Sequence, residues 1–543
     1  MQSGQTLGKM QQPLQKTKGD NMNNGMMWNC LRVMLFVGES LVGLSVSDSA
    51  ETRPNFVVIL CDDLGWGDLG CYGHPHIQTT NLDRLAQQGI RLTSCYSPAP
   101  VCSPSRVGLL TGRSPARAGV MDWIPEVKDP PSKTQTTKNS PAKTPLAKDQ
   151  PVVKTNAKAK PQQPDSRALV HMRREEVTLP RLLQEAGYAT ALSGKWHCNS
   201  MFNSSAQPQP NDAGFDHWFA TQNNAGPSHE NPKNFVRNGE SVGPQQGFSC
   251  QLVADEAIQW MTQTTSKKPS QPFFLYVAFH EPHEPVVSPP DLVAKYLPIA
   301  INEDQAQYFA NVENMDKAVG KILESLDQQG VTDNTLVYFS SDNGPETLDR
   351  YPTANRSHGS AGNLRGRKLW TTEAGFRVAG IMRYPKGMTS GLKSGSVIDQ
   401  PISSLDLLPS FLALAGLNAP AELELDGVDF VPLFSGATIR RDKPLFWFYW
   451  AALNDQRVAM RDGDWKVLAK LDSGKLPTHS NLNEANVAAV RDAKLTDFSL
   501  FNLSKDPIEQ NDLAEQEPER LQKMVKSLEN LYQQVTQTMH FWP

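Results

Sequence analysis

Short apolar runs that stop abruptly at polar clusters recur along the chain. Phe56-Val57-Val58-Ile59-Leu60 ends in Cys61-Asp62-Asp63, residues 273–279 end in His280-Glu281-Pro282-His283, and residues 335–339 end in Ser340-Ser341-Asp342-Asn343-Gly344. A weaker run, 188–192, leads into Ser193-Gly194-Lys195-Trp196-His197. Runs of this length bounded by polar residues predict strands buried on both faces of a parallel sheet. Helical periodicity separates them, over 80–89, 252–261 and 305–328. Such alternation predicts an α/β fold with helices on both faces of a mostly parallel sheet. In that architecture the ligand crevice lies beyond the carboxyl ends of the strands. All four polar clusters fall there.

Past about residue 417 the pattern changes. Arg457-Val458-Ala459-Met460-Arg461 and Trp465-Lys466-Val467-Leu468 flank Asp462-Gly463-Asp464, a hairpin signal, and an amphipathic helix is predicted over 517–537. The expected organisation is therefore a large domain over 51–416 and a small α+β domain over 417–543. Residues 126–166 contain no aromatic residue and carry lysines at 128, 133, 138, 143 and 148. Low complexity of this kind does not bury enough apolar surface to order itself, so the segment is expected to be a disordered insertion. Residues 1–50 read as an export signal or N-terminal extension: Arg32, an apolar stretch from Val33 to Val46 that Glu39 interrupts, then Ser47, Ser49 and Ala50. The expected location is outside the cytosol: periplasmic or secreted, or a lysosomal-type compartment in a eukaryote. No later stretch reaches the ~18 apolar residues of a membrane span.

Composition narrows the function classes. The 543 residues include 53 basic and 57 acidic ones, a formal net charge of −4. That balance leaves no electrostatic footprint for nucleic acid or an anionic membrane. Seven cysteines stand at 30, 61, 71, 95, 102, 198 and 250, with no zinc-type spacing. They are too scattered for a disulfide scaffold, and one or two bridges stay open as an expectation.

Chemistry concentrates at the strand ends. Asp62 and Asp63 end one predicted strand, and Asp342 with Asn343 ends another. Adjacent carboxylates at a crevice repel unless a cation neutralises them. Three carboxylates and an amide oxygen form a hard oxygen set suited to Ca²⁺ or Mg²⁺, although either pair alone is also an ordinary turn sequence. Cys102-Ser103-Pro104-Ser105-Arg106 opens a predicted helix with Pro104 in its first turn. Cys102 would sit at the helix N-terminus, which favours an anion, and Arg106 lies one turn on.

Cys102-Ser103-Pro104-Ser105-Arg106 with Leu110-Thr111-Gly112-Arg113 resembles the signature of the type I sulfatases, in which the cysteine becomes formylglycine. Other blocks are similar to that family in the same order: Asp62-Asp63-Leu64-Gly65, Gly194-Lys195-Trp196-His197, Pro282-His283-Glu284-Pro285, Ser341-Asp342-Asn343-Gly344, Leu364-Arg365-Gly366-Arg367-Lys368, and a closing stretch from Leu500 to Glu509. One departure is Glu373-Ala374-Gly375 where the family often has Glu-Gly-Gly. The resemblance implies an alkaline-phosphatase-like α/β domain. It implies one Ca²⁺ on Asp62, Asp63, Asp342 and Asn343, touching the formylglycine made from Cys102 by a maturation enzyme.

The roles it implies follow. The hydrated aldehyde at Cys102 supplies one hydroxyl to attack sulfur and a second that lets the intermediate collapse. Arg106, Lys195 and Lys368 supply positive field, His197 takes a proton, and His283 or Lys368 serves the leaving oxygen. His280 is the alternative to His283. The expected substrate is a sulfated carbohydrate or an aryl sulfate, with Asn223, Asn224, His229, Glu230, Arg356 and His358 as candidate lining of the leaving-group side. Two rivals remain at this point: a phosphate or phosphonate ester hydrolase on the same scaffold, and a non-catalytic glycan-binding protein if Cys102 is unmodified.

Overall fold

The computed structural model describes residues 53–127, 169–388, 391–474 and 482–543. The segment 1–50 and all but the first two residues of 126–166 lie outside the described residues. Ten strands form the main sheet, in the order Ser396–Ile398, Ile90–Leu92, Gly380–Arg383, Thr335–Ser341, Asn55–Asp62, Phe273–Pro282, Ala189–Lys195, His217–Thr221, Val236–Arg237 and Glu240–Ser241. The five strands from Thr335–Ser341 to His217–Thr221 are parallel. Gly380–Arg383 and the Val236–Arg237 end of the sheet run antiparallel. The fold is thus the mixed, mostly parallel α/β sheet that the apolar runs predict.

Period-two alternation divides the central strands between two cores. Phe56, Val58 and Leu60 face one side, with Val107, Leu109 and Leu110 of the Cys102–Thr111 helix and Phe411 of the Leu407–Leu414 helix. Val57 and Ile59 face the other side, against the Thr80–Gln88, Ser249–Lys267 and Glu303–Gln328 helices. Each central strand is buried on both faces, which is why its sequence reads as a continuous apolar run. Helices on both sides leave the strand ends as the open edge of the layer.

A second, four-stranded antiparallel sheet joins Leu445–Phe448, Val458–Asp462, Trp465–Leu471 and Leu495–Asn502. Gly463 turns the predicted hairpin with φ of 57°. The Pro518–Thr538 helix buries Met524, Leu528, Tyr532 and Val535 against this sheet. All six described cysteines are free thiols, so no disulfide joins described residues.

One charged contact ties helix to sheet at an edge. Glu256, in the Ser249–Lys267 helix, accepts from Arg237 Nε at 2.8 Å, and His217 Nε2 lies 2.9 Å from the same carboxylate oxygen. Burial raises the Glu256 carboxyl, but the His217 and Arg237 hydrogen bonds outweigh it and hold it at about 2. A depressed carboxyl pKa contributes stability that is complete above the unfolded value and is lost as pH falls through the folded one. Glu256→Gln is therefore expected to lower the melting temperature by about 1–3 °C near neutral pH, partial exposure limiting the effect. The gap to the parent should close between about pH 4.5 and pH 2 in thermal scans. A gap that persists unchanged at the acid end would show that the carboxylate charge plays no part.

Candidate active site

Parallel pairing puts the carboxyl ends of four strands on one edge, and each delivers a polar residue there. Asp62 ends its strand, Lys195 ends Ala189–Lys195, Asp342 and Asn343 follow Ser341, and His283 follows Pro282. Close packing sharpens the edge. A Cβ on Gly194, whose φ is 115°, would meet the Ala278 carbonyl oxygen at 1.9 Å, so only glycine lets the Lys195 strand lie so near its neighbour. Asp63, His197 and Leu369 hold φ of 65°, 51° and 71°. Left-handed backbone at non-glycine residues costs about 1–3 kcal/mol each, and Asp63 and His197 adopt it just past the ends of their strands.

The charges interlock. Lys368 Nζ lies 2.7 Å from Asp63 Oδ2, and Lys195 Nζ pairs with Asp62 Oδ2. Arg106 donates to Asp342 Oδ2 from Nε at 3.0 Å and from Nη2 at 2.7 Å, and to the Lys195 carbonyl from Nη1 at 3.1 Å. Asn343 Nδ2 donates to Asp63 Oδ1 at 2.6 Å. Arg106 is wholly buried behind the carboxylates and does not line the cavity, so it acts on the site through Asp342. That aim differs from the direct anion contact that helical spacing suggests. Its side chain has no aqueous path, and the Asp342 carboxylate is its strongest partner.

Burial raises all three carboxyls. Around Asp62 the burial is outweighed by Lys195, with His283, Arg106 and Lys368 adding, and the group stays well below the usual carboxylate range. Burial dominates at Asp63 despite Lys368, with Asp62, Glu346 and Asp342 adding, and holds it well above that range. Asp342 is pushed up to about 6 by burial and by Asp62, against Arg106. The cluster is short of positive charge. Asp62 Oδ1 and Asn343 Oδ1 are also buried without a hydrogen-bond partner. Acidic oxygens with unused lone pairs and a charge deficit fit a hard divalent cation. Ligand atoms of Asp62, Asp63 and His283 lie within 4.8 Å of one another, which adds a histidine to a cluster expected to contain none.

The histidines resolve by position. His283 lines the cavity, with Nδ1 2.8 Å from the Glu284 carbonyl, which makes Nδ1 the protonated nitrogen, and Nε2 3.6 Å from Asp63 Oδ2. His280 is fully buried, 2.8 Å from the Thr221 hydroxyl, and does not reach the cavity. His197 Nε2 lies 3.0 Å from the Ile124 carbonyl. A carbonyl only accepts, so Nε2 carries the proton and Nδ1 keeps its lone pair, buried and without a partner. Burial, Lys195 and Arg106 hold His197 well below its ordinary pKa, so the ring is neutral. Cys102 begins its helix and is 2% exposed, and burial pushes the thiol up to about 12 against Lys195 and Lys368.

The cavity these residues open into measures about 450 Å³. Cys102, His197, His283 and Lys368 line it together with Asn223 and Asn224. Trp123, Tyr351, Tyr449, Leu369 and Leu453 form an apolar wall, relieved by Asp122, Glu284 and Arg350. His229, Glu230, Arg356 and His358 do not line it; Arg356 instead bonds Asp304 at 2.9 Å and the Val286 carbonyl at 2.7 Å. Glu284 lies in a quoted motif. The wall residues carry no local signal, because loops far apart in sequence bring them together.

A helix that starts at Cys102 and opens on the same cavity as the strand ends, beside a buried carboxylate cluster on this sheet, fits an ester hydrolase of the sulfatase class. The Sulfatase family profile matches residues 54–417, and the chain belongs to that family. N-acetylgalactosamine-6-sulfatase of Rattus norvegicus is 33% identical over 425 residues, 75% of this chain and 70% of the relative. Arylsulfatase A of Bos taurus is 31% identical over 533 residues, 92% of each chain. Among solved structures, Ps i-CgsB, also solved with k-i-k-neocarrahexaose, superposes with a TM-score of 0.68 at 26% identity, covering 90% of this chain and 95% of that one. The protein is a sulfatase.

Calcium added to metal-stripped protein is expected to raise the melting temperature, since a ligand at ~100 times its Kd stabilises by about 2.7 kcal/mol. Asp62→Asn and Asp342→Asn should each abolish most of that rise. An unchanged rise in both variants would move the cation elsewhere.

Proposed function

We propose that this sulfatase hydrolyses sulfate esters of carbohydrates, using formylglycine made from Cys102 and one Ca²⁺ held by Asp62, Asp63, Asp342 and Asn343. The observation that carries the reading is the placement of Cys102, at a helix N-terminus, in one cavity with Lys368 and His197, beside a buried carboxylate cluster. An ion held by these residues would supply Lewis-acid polarisation of a sulfate oxygen. When formed, the aldehyde hydrate supplies the attacking hydroxyl and a second one for collapse.

The protein's own groups do the rest. Lys368 Nζ, held by Asp63 in the cavity lining, faces the charge that builds on the ester oxygens. His197 Nδ1 is the one nitrogen of that ring free to accept a proton, its tautomer fixed by Ile124. His283 stands on the leaving-group side with Nδ1–H committed to Glu284, leaving Nε2 toward the cluster. Arg106 and Lys195 hold Asp342 and Asp62 in place. The aromatic residues Trp123, Tyr351 and Tyr449, with the unpartnered Oδ1 of Asn223 in the same cavity, offer what a sugar ring needs: apolar surface and a hydroxyl partner. The names of the relatives point the same way. Export is part of the proposal, on the sequence of residues 32–50 alone, and N-terminal sequencing of the mature protein tests it.

Peptide mass spectrometry of Cys102 is expected to show thiol-to-aldehyde conversion in active preparations. Cys102→Ala should lower kcat/KM on an aryl sulfate by at least about 10³-fold, and Lys368→Ala by about 10²-fold. Full activity in protein whose Cys102 is wholly a thiol would remove the formylglycine. Faster turnover of an aryl phosphate than of the matching sulfate would favour a phosphoester hydrolase. Both substrates left untouched by converted, calcium-loaded protein, with sulfated glycan still bound, would leave the binding role.

A further inference from the structure

A second charged cluster, of Lys466, Glu373 and Glu509, is buried and does not line the cavity. Lys466, in the Trp465–Leu471 strand, is fully buried, with Nζ 2.9 Å from Glu373 Oε1 and 2.7 Å from Glu509 Oε1. Glu509 Oε2 accepts the Glu373 backbone N–H at 2.7 Å, and the Glu509 carbonyl accepts from Arg365 Nη1 at 3.0 Å. The second oxygen of Glu373 accepts from the Tyr96 hydroxyl at 2.6 Å. Lys466 Nζ also lies 4.5 Å above the ring of Phe376, which stacks on Trp447 with centroids 4.1 Å apart.

Stability alone is a poor reason for this arrangement. Buried ion clusters are often matched or bettered by apolar residues of similar volume. What the cluster does provide is a fixed position for one short turn, Glu373–Phe376, and that turn touches both halves of the site. The Gly375 carbonyl accepts the Gly344 N–H at 3.0 Å, directly after Asn343. A Cβ at Gly344 would lie 1.7 Å from the Ala374 carbonyl oxygen, so only glycine lets the two segments lie this close. On the other side, Ala374 N–H and Thr372 Oγ1 both donate to the Arg365 carbonyl at 2.8 Å. These bonds close the base of the loop that carries Lys368. The loop is pinned again where Lys368 N–H donates to the Pro345 carbonyl and Leu369 N–H to that of Pro100.

We infer that Glu509 and Lys466 are positioning residues for the reaction: through Glu373 they set where Lys368 and Asn343 stand in the site. The inference rests on the roles proposed above for those two residues. It gives the closing stretch from Leu500 to Glu509 a task in turnover, exercised from outside the cavity.

Glu509→Gln keeps the shape and an acceptor for the Glu373 N–H but removes the charge facing Lys466. It is expected to lower kcat on an aryl sulfate at least about tenfold with KM changed less than about threefold. Calcium affinity, read by calorimetry on the same protein, should weaken severalfold. Leu528→Ala, in the Pro518–Thr538 helix and away from the cluster, serves as the comparison. It should lower the melting temperature while kcat and calcium affinity hold. Equal kcat and calcium affinity in parent and Glu509→Gln would overturn the inference. So would a Leu528→Ala protein with the same kcat loss at the same loss of melting temperature. Should glutamine at 509 prevent folding, Glu509→Asp, which shortens the reach and keeps the charge, is read by the same two outcomes. A parent protein inactive on sulfate esters after conversion and calcium loading would instead remove the proposed function itself.

Discussion

Three carboxylates meet at the ends of adjacent strands, and nearly every polar choice around them answers their mutual repulsion. Asp62, Asp63 and Asp342 are forced together by parallel pairing of two central strands through their full length. All three are buried, so the compensation comes from fixed cations: Lys195 on Asp62, Lys368 on Asp63, Arg106 on Asp342. Burial, with the neighbouring carboxylates, still holds Asp63 and Asp342 above the usual carboxylate range. Added positive charge, as in the proposed cation, would relieve that. The same scaffold that packs two apolar cores thus also builds the carboxylate edge proposed to take a cation, and neither can shift without the other.

How much of this is legible along the chain depends on how local its cause is. The strand ends are local: an apolar run that stops at Asp62 or Asp342 marks both an element boundary and a site residue, and the observed strands end within a few residues of those points. The 273–279 run is an instructive miss. Its strand continues to Pro282, because Asp62 of the neighbouring strand still pairs with Pro282, and His280 is absorbed into the buried layer by the Thr221 hydroxyl. Periodicity cannot distinguish a polar residue inside a strand from one just past it when a partner elsewhere satisfies it. Arg106 shows the same limit. Helical spacing gives its side of the helix, while its aim depends on Asp342, 236 residues away.

The cavity wall is least legible. Trp123, Tyr351 and Tyr449 come from three separate stretches, and nothing in the neighbourhood of each distinguishes it from an ordinary packed aromatic. Glu509 is intermediate: its motif stands out by resemblance, but its partners Glu373 and Lys466 are distant in sequence, so the reason for it appears only in three dimensions. Functional groups at element ends are found by pattern, and those that act through long-range contact are not.

The pairing order of the main sheet carries a consequence for the timing of synthesis. The Asn55–Asp62 strand has neighbours at Phe273–Pro282 and Thr335–Ser341, and nothing made earlier can pair with it in the sheet. Cys102, 2% exposed in the finished fold, therefore spends the interval before residue 273 emerges on a chain whose central layer cannot yet close. At about 5–20 residues per second that interval is roughly 10–30 s. If Cys102 is converted as proposed above, an enzyme acting on its segment would have at least that window before the segment is buried. Codon usage, temperature or a chaperone that alters the pace of the ribosome between residues 102 and 273 would then govern what fraction of molecules leaves with a competent nucleophile, independently of how stable the completed protein is.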